Sequence, residues 1–182
     1  MLKTLRKIAS VGLVTEPAPQ VDPVLRIRST LGERIRTVLG RALCIRHVDA
    51  GSCNGCELEI HALNNPLYNL EGQGIRFVAS PRHADLLLVT GPVVANMETA
   101  LRRTYDAIPN PKLVVAIGDC GCTGGIFGES TAFPAIDRPC RGRVSNVIPV
   151  DVAVPGCPPS PTQILAGILT AITNSRVVTT SG

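Results

Sequence analysis

Cysteine is the residue type in this chain with the clearest capacity for chemistry. Seven cysteines occur among 182 residues, and an odd number fits a disulfide framework poorly. The opening segment MLKTLRKIASVGLV lacks a twin-arginine pair and a long apolar core, so we expect no export signal and a reducing cytoplasm around the thiols. In that compartment, several thiols in one small chain favour metal ligation over disulfide bonding.

Four of these cysteines come just after short apolar runs that are typical of buried parallel strands. Cys53 and Cys56 follow LCIRHVDAGS, Cys120 follows KLVVAIGD, and Cys157 follows VDVAVPG. The carboxyl ends of the strands in an open parallel sheet face a single crevice, where ligand sites form. We therefore expect these four thiols, which are distant in sequence, to lie close together in space.

Four thiols in one crevice can hold either a tetrahedral zinc ion or a [4Fe–4S] cluster. Structural zinc sites commonly use two Cys-x-x-Cys pairs, whereas this chain combines the single pair CNGC with two isolated cysteines. Ligands from separate loops suit the widely spaced corners of a cubane cluster, and the surrounding glycines would let backbone amides approach its sulfides. The alternatives are a zinc-binding interaction subunit without a redox role and a set of simply buried cysteines.

The other three cysteines are less suited to ligation. Cys44 lies within a predicted strand and is expected in the core. Cys122 follows Cys120 by two residues, and neighbours so close cannot easily occupy two corners of one cluster, so Cys122 is the main rival ligand and the expected spare. Cys140 is expected to be structural or a surface thiol.

Apolar runs and helical periods alternate from residue 43 onward and predict an α/β fold with a doubly wound parallel sheet. The predicted strands are LCIRHVDA, IRFVAS, DLLLVTG, KLVVAIGD and VDVAVPG, and the predicted helices are Glu57 to Asn65, Asn96 to Ala107 and Pro161 to Thr173. The expected organisation is an N-terminal arm and helix at 1–42, a cluster-binding domain at 43–175 and a tail at 176–182.

Two features are expected before residue 43. Residues 1–25 contain three prolines and show no sustained period, so they are predicted to form an extended arm. The following segment, VLRIRSTLGERIRTVLGRAL, places apolar residues at near-helical spacing between arginines and predicts a basic amphipathic helix. That helix could cap the domain, or it could dock on an acidic subunit or an anionic membrane.

Composition and charge limit the classes of partner. The formal charge of +4 could suggest nucleic acid, but the basic residues concentrate near the N-terminus and only three Phe and two Tyr could stack on bases. Nucleic acid is therefore not an expected partner. The longest apolar stretch, Leu86 to Met97, is interrupted by Gly91 and Pro92 and is shorter than the roughly 18–20 residues of a spanning helix, so we expect a soluble or peripheral protein.

Four segments, GSCNGCELEI, SPRHADLLLVTGPV, GDCGCTGGIFG and PVDVAVPGCPPSP, resemble the small electron-transfer subunit of membrane-associated, complex I-related (group 4 type) [NiFe] hydrogenases, including formate hydrogenlyase types. The resemblance spans roughly residues 43–173. The corresponding complex I subunit is related, but its first motif has adjacent cysteines instead of Cys-x-x-Cys. The resemblance implies a flavodoxin-like fold with one [4Fe–4S] cluster on Cys53, Cys56, Cys120 and Cys157.

The same resemblance implies partners and a location. The implied partners are a [NiFe] hydrogenase-like large subunit that carries the nickel–iron centre, a ferredoxin-like iron–sulfur subunit and the membrane subunits of a complex I-like arm. The implied location is peripheral, on the cytoplasmic side of the inner membrane. Only 25 residues follow Cys157 and none is cysteine, so a single cluster is expected. The alternative is the corresponding subunit of a quinone-reducing, complex I-like enzyme.

Other chemistry-bearing residues leave more than one interpretation open. Glu57 and Glu59 follow the CNGC pair and could relay protons, or could simply complement the dipole of a helix in its first turn. His47, His61 and His83 show no paired spacing that would argue for a metal site. The glycine-rich segment GDCGCTGGIFG lacks the Lys-Ser/Thr ending of a phosphate-binding loop, so nucleotide binding is not expected.

Overall fold

A computed structural model of the protein describes residues 2–12, 23–128 and 139–174. These residues form six α-helices: α1 (Leu2–Val11), α2 (Pro23–Leu39), α3 (Gly55–Ala62), α4 (Ala95–Ala107), α5 (Gly118–Thr123) and α6 (Pro161–Asn174). They also form seven strands: β1 (Leu43–Asp49), β2 (Ile75–Phe77), β3 (Leu86–Thr90), β4 (Val93–Val94), β5 (Leu113–Ile117), β6 (Cys140–Gly142) and β7 (Val152–Val154). Short 3₁₀ turns occupy Glu71–Gln73, Pro81–His83, Gly125–Phe127 and Val144–Asn146.

Five parallel strands form the main sheet in the order β2-β1-β3-β5-β7. Counting these five strands alone gives the order 2-1-3-4-5, which is the flavodoxin-like arrangement. Asp49, Thr90 and Ile117 pair across β1, β3 and β5, so these strands end at one level of the sheet. The predicted flavodoxin-like α/β fold is confirmed, and the common end level is what brings the following loops together.

Both faces of the sheet are covered by helices, which explains the continuous apolar runs of its strands. Every residue of β3 is buried, and successive side chains of a strand point to opposite faces. One core contains Leu86 and Leu88 together with residues of α2 and α6, and the other contains Leu87 and Val89 together with Leu101 of α4. A sheet buried on both faces holds its strand ends, and therefore the site loops, in fixed positions.

The predicted basic amphipathic helix is present as α2, and its apolar side packs into the core. Leu31 and Ile35 are almost fully buried in the same core as α6, and the Arg28 guanidinium donates a 2.6 Å hydrogen bond to the carbonyl of Leu67. Because the domain itself covers these apolar side chains, the structure favours the capping interpretation of this helix over the docking one.

The predicted extended arm at 1–25 is wrong in two places. Leu2–Val11 forms helix α1, and α2 begins at Pro23. The three prolines indicate irregular structure, but they all lie after Leu2, Leu5 and Ile8, which recur at helical spacing. Residues 13–22 lie outside the described residues, as does the tail at 176–182, and the proposed division of the chain stays a prediction.

Three further elements of the described chain, helix α5 and strands β4 and β6, were not predicted. Helix α5 has only six residues and begins with Gly118, Asp119 and Cys120. The antiparallel pair of β4 and β6 joins segments that are about fifty residues apart in the sequence. Helix α3 also begins at Gly55 instead of Glu57. Across the described residues, none of the helices has the length and apolar character needed to cross a membrane.

Candidate functional site

The loops that follow β1, β5 and β7 meet around a cavity of about 120 Å³ at the carboxyl edge of the sheet. The residues that line it are Ser52, Cys53, Gly55, Cys56, Gly91, Asp119, Cys120, Gly156, Cys157 and Pro158. All four cysteines predicted as ligands therefore lie on one cavity. A larger cavity of about 650 Å³ lies at the opposite edge of the sheet and contains Cys44 but none of these four.

The loop between β1 and α3 is shaped by hydrogen bonds to Asp49. One carboxylate oxygen of Asp49 accepts bonds from the amides of Gly51 at 2.8 Å and Ser52 at 2.7 Å, as an aspartate at the start of a tight turn commonly does. Asn54 adopts a left-handed conformation with φ 70°, directly before α3. This turn leaves Cys53 exposed ahead of the helix and puts Cys56, which is half-buried, in its first turn.

The loops carrying Cys120 and Cys157 are tied together through Asp119 and Gly156. The Asp119 amide donates to the Gly156 carbonyl at 2.9 Å, and the Gly156 amide donates to the Asp119 carboxylate at 2.8 Å. Cys120 is half-buried within α5, and Cys157 is exposed. The thiols from two different strand ends are thereby held at a fixed separation.

Two glycines allow thiols to lie directly against the backbone. Gly118 has φ +82°, and a Cβ atom at that position would lie 2.7 Å from Cys56 Sγ. Gly125 has φ +53°, and a Cβ atom there would lie 2.9 Å from Cys120 Sγ. Both distances are shorter than carbon–sulfur contact allows, so any side chain at either position would displace a thiol of the cavity.

Two thiols of the cavity, Cys56 and Cys120, are harder to ionise than ordinary thiols, mainly because they are buried. Burial raises the pKa of Cys56 to about 12, with further contributions from Glu57 and from the three neighbouring cysteines. Burial also raises the pKa of Cys120, and the neighbouring Cys157 and Cys53 raise it further. Ligation by the thiolates of Cys56 and Cys120 would therefore need a cationic group beside them, which is the electrostatic situation of a metal site.

The donor set fits an iron–sulfur cluster. Four soft sulfur ligands are what such a cluster requires, and the cavity offers on the order of ten times the space that one water-sized group needs. Within the described ranges, no three His, Cys, Asp or Glu side chains stand close enough together to hold a single metal ion. The four cysteines line one cavity that three separate loops form.

Cys122 lies on the other side of α5 from Cys120. Successive residues of an α-helix are rotated by about 100°, so residues two apart point in nearly opposite directions. The Cys122 thiol donates to the carbonyl of Ala116 at 3.7 Å and lines a separate cavity with Val150 and Asp151. Burial raises the pKa of this thiol to about 11. Helix α5, which was not predicted, is therefore what separates these two neighbours.

The two remaining cysteines lie outside the cavity. Cys44 is half-buried on β1, where its thiol makes a weak contact of 3.9 Å to the carbonyl of Ala42. Cys140 is half-buried on β6 and accepts a 3.3 Å hydrogen bond from the amide of Gly142. Cys140 nevertheless lies close enough to Cys120 to raise the pKa of that thiol slightly. Because β6 was not predicted, this proximity could not be anticipated.

Glu57 belongs to a buried polar group beside the cavity. It lies in the first turn of α3, and one of its carboxylate oxygens is 3.8 Å from Nε2 of His47, which also shares a 2.9 Å hydrogen bond with the Thr90 hydroxyl. Neither carboxylate oxygen of Glu57 has a hydrogen-bond partner among the described residues. Burial lowers the pKa of His47, while Glu57 opposes that effect. The strand pattern gave no signal for this grouping, and Glu59 is only half-buried.

Exposed apolar side chains flank the ligand loops. Leu58 follows Cys56 by two residues and is 62% exposed, and Ile126 and Phe127, in the 3₁₀ turn that follows α5, are 92% and 53% exposed. Exposed apolar residues grouped beside a site are typical of a surface that binds another protein.

A flavodoxin-like sheet whose carboxyl edge gathers four thiols around one cavity defines a domain suited to carrying a metal cluster. The chain belongs to the family described as "NADH ubiquinone oxidoreductase, 20 Kd subunit", whose model matches residues 53–171. The predicted relationship to complex I and to complex I-related hydrogenases is thereby confirmed, and the chain is a component of an oxidoreductase complex.

Curated relatives come from several such complexes. The probable membrane-bound hydrogenase subunit mbhJ of Pyrococcus furiosus is 45% identical over 80% of this chain and 84% of its own length. Formate hydrogenlyase subunit 7 of Escherichia coli is 38% identical over 86% of this chain and 58% of its own length. A subunit of the NADH-quinone oxidoreductase of Desulfovibrio desulfuricans is 40% identical over 71% of this chain and 66% of its own length.

A solved structure also resembles the chain. A chain of the membrane-bound sulfane sulfur reductase, described as an archaeal respiratory membrane complex, superposes with a TM-score of 0.61 at 31% identity. The match covers 81% of this chain and 77% of that one. The complexes named for these relatives differ, and the chain of the sulfane sulfur reductase shares the fold described here.

Proposed function

We propose that this chain is the electron-transfer subunit of a membrane-associated [NiFe] hydrogenase complex, in which Cys53, Cys56, Cys120 and Cys157 hold one [4Fe–4S] cluster. The observation that carries the proposal is the convergence of these four thiols, from three strand ends, on one cavity in a member of an oxidoreductase-subunit family. When bound, such a cluster supplies reversible one-electron transfer.

The chain's own residues contribute ligation and positioning. Gly118 and Gly125 keep side chains away from the thiols of Cys56 and Cys120. The hydrogen bonds between Asp119 and Gly156 fix the distance between two of the ligand loops. Glu57 and Glu59 stay candidates for proton relay, and the buried position of Glu57 near His47 supports it over Glu59.

The partner is proposed to cover the open side of the site. Two of the four ligands, Cys53 and Cys157, are exposed, and Leu58, Ile126 and Phe127 add apolar surface beside them. Electron transfer between two proteins requires that their surfaces come close together and exclude water. An exposed apolar surface beside the ligands suits such a contact. We assign it to a hydrogenase-like large subunit, with a ferredoxin-like subunit and membrane subunits completing a peripheral complex on the cytoplasmic side of the membrane.

The assignment to a hydrogenase rests on sequence identity to hydrogenase subunits and on the first cysteine motif, CNGC. The identity to a hydrogenase subunit is 45%, against 40% to an NADH-quinone oxidoreductase subunit over a shorter part of this chain. The pair CNGC also departs from the adjacent cysteines of the complex I subunit. The second candidate is a component of a quinone-reducing or sulfur-reducing complex, which the NADH-quinone oxidoreductase relatives and the sulfane sulfur reductase structure favour.

One purification tests both parts of the proposal. The complex is isolated anaerobically through a tag on this chain, its subunits are identified, and iron, sulfide, zinc and nickel are quantified. The proposal expects nickel in the large subunit and hydrogen-dependent dye reduction by the intact complex. It also expects a brown colour and about four iron and four sulfide on this chain once it is separated anaerobically from the other subunits.

The other outcomes are separable. A colourless chain with stoichiometric zinc would overturn the cluster and support the zinc-binding alternative. Iron and sulfide without nickel, together with quinone- or polysulfide-dependent turnover, would keep the cluster and overturn the hydrogenase assignment.

A further inference from the structure

Helix α1 presents an apolar stripe that the described part of the protein does not cover. Leu2, Leu5, Ile8 and Val11 recur every third residue along the helix and are 72%, 61%, 63% and 55% exposed. None of the residues of α1 is buried against the other described residues. A stripe of four large apolar side chains that none of the described residues covers differs from the single exposed apolar residues that are normal on a protein surface.

The opposite side of α1 is cationic. At about 100° per residue, Lys3, Arg6 and Lys7 fall within one arc together with Ser10, and the apolar residues occupy the other half of the helix. The segment LKTLRKIASV contains no acidic residue. The helix therefore combines a continuous apolar half with a purely positive half.

We propose that α1 lies in the surface of an anionic lipid bilayer and contributes to holding this subunit at the membrane. In such a position the apolar half enters the boundary between headgroups and acyl chains, and the cationic side chains remain at the level of lipid phosphates. The proposal deepens the peripheral membrane association proposed above, because it names the surface responsible.

The charge pattern favours a bilayer over a protein groove. An apolar groove on a partner protein would explain the stripe of Leu2, Leu5 and Ile8. It would not explain why every charged residue on the other half of α1 is positive. Helix α2 shows the contrast within this chain, because its Leu31 and Ile35 are covered by the domain and it contains Glu33 among its arginines. Of these two basic helices, only α1 has an apolar side that the other described residues do not cover.

The test is co-flotation of the full chain with lipid vesicles. One set contains equal parts phosphatidylglycerol and phosphatidylcholine, and the other contains phosphatidylcholine alone. The expected result is binding to the anionic vesicles that falls steeply with salt, and little binding to the neutral ones. Equal binding to both sets, or binding to neither, would overturn the proposal.

Two matched variants separate insertion of the apolar half from charge alone. Ile8→Glu and Ser10→Glu each add one negative charge to α1, but only the first places it in the apolar stripe. Partitioning onto anionic vesicles is expected to fall at least about tenfold more for Ile8→Glu than for Ser10→Glu. Equal losses would contradict insertion of the helix.

A second pair of variants tests the cationic half. Replacing Lys3, Arg6 and Lys7 with Gln is expected to weaken partitioning on the order of 100-fold, since each basic residue near an anionic surface accounts for about fivefold. The same change at the exposed residues Arg26, Arg34 and Arg103 removes equal charge elsewhere and is expected to have a much smaller effect. Equal effects of both triple variants would contradict a specific role of α1.

Iron content and far-ultraviolet circular dichroism, measured on every variant, keep this inference distinct from the function proposed above. A chain that retains its cluster but ignores anionic vesicles overturns the membrane role alone. A chain that binds the vesicles without holding iron overturns the cluster alone. If Ile8→Glu binds vesicles normally and instead releases another subunit of the complex, the stripe is a protein contact and the proposal is wrong.

Discussion

Asp119 and Gly156 exchange two hydrogen bonds across the carboxyl edge of the sheet, from amide to carbonyl at 2.9 Å and from amide to carboxylate at 2.8 Å. Each residue immediately precedes a cysteine of the cavity, so this exchange links the loops that carry Cys120 and Cys157. A residue that is not itself a ligand can still decide whether two ligands stand at the separation that a cofactor needs.

Replacement of Asp119 tests this linkage. Asp119→Ala removes the acceptor for the Gly156 amide and is expected to weaken cluster retention by about 10–100-fold, the usual effect of losing a group that orients metal ligands. Asp119→Asn keeps a carbonyl oxygen at the same place and is expected to lose less. Iron release to a chelator, followed by absorbance under anaerobic conditions, measures the difference, and identical rates for Asp119→Ala and the unmodified chain would refute the linkage.

Gly118 provides a test of the contact between backbone and thiol. In Gly118→Ala the new methyl group would lie 2.7 Å from Cys56 Sγ at a backbone φ of +82°, so loss of most of the bound iron is expected. The control is Gly121→Ala in the same helix, where the nearest atom would be 3.6 Å away and φ is not positive. That control is expected to retain iron and to change the free energy of unfolding by no more than about 1 kcal/mol.

Cys120 and Cys122 distinguish the predicted ligand from its rival. Cys120→Ser is expected to lower iron content sharply, because a thiolate of the cavity is lost. Cys122→Ser is expected to leave it unchanged, because Cys122 faces the Ala116 carbonyl on the far side of α5 and a serine hydroxyl can donate the same hydrogen bond. Iron and sulfide analysis of the two variants measures the difference. Loss of iron in Cys122→Ser but not in Cys120→Ser would make Cys122 the ligand.

The strands and the convergence of the four thiols could be predicted because both depend on local pattern. An apolar run such as that of β3 is long enough to identify a buried parallel strand, and the common direction of parallel strands then places the residues after them at one edge. No knowledge of the loop conformations was needed to bring Cys53 and Cys157 together.

The missed features depend on contacts between distant residues or on very short elements. Helix α5 contains two glycines in six residues, which are poor helix formers, and it is stabilised by its place at the end of β5. His47 on β1 lies beside Glu57 on α3 because of the turn that joins these two elements, and residue spacing does not encode that turn. Helix α1 was missed because prolines further along the same segment suggested irregular structure for all of it.

Helix α2 supplies the last prediction, because its apolar side is either part of the core or a docking surface. Leu31 is fully buried against the core that α6 shares, so Leu31→Ala is expected to lower the free energy of unfolding by about 2–5 kcal/mol, the range for truncating a buried leucine. Arg34→Ala, one turn along on the exposed side, is expected to stay within about 0.5 kcal/mol of the unmodified chain. Urea unfolding followed by circular dichroism measures both. If Leu31→Ala unfolds at the same urea concentration as the unmodified chain but no longer co-purifies with its partners, α2 is a docking helix and its place in the core is incidental.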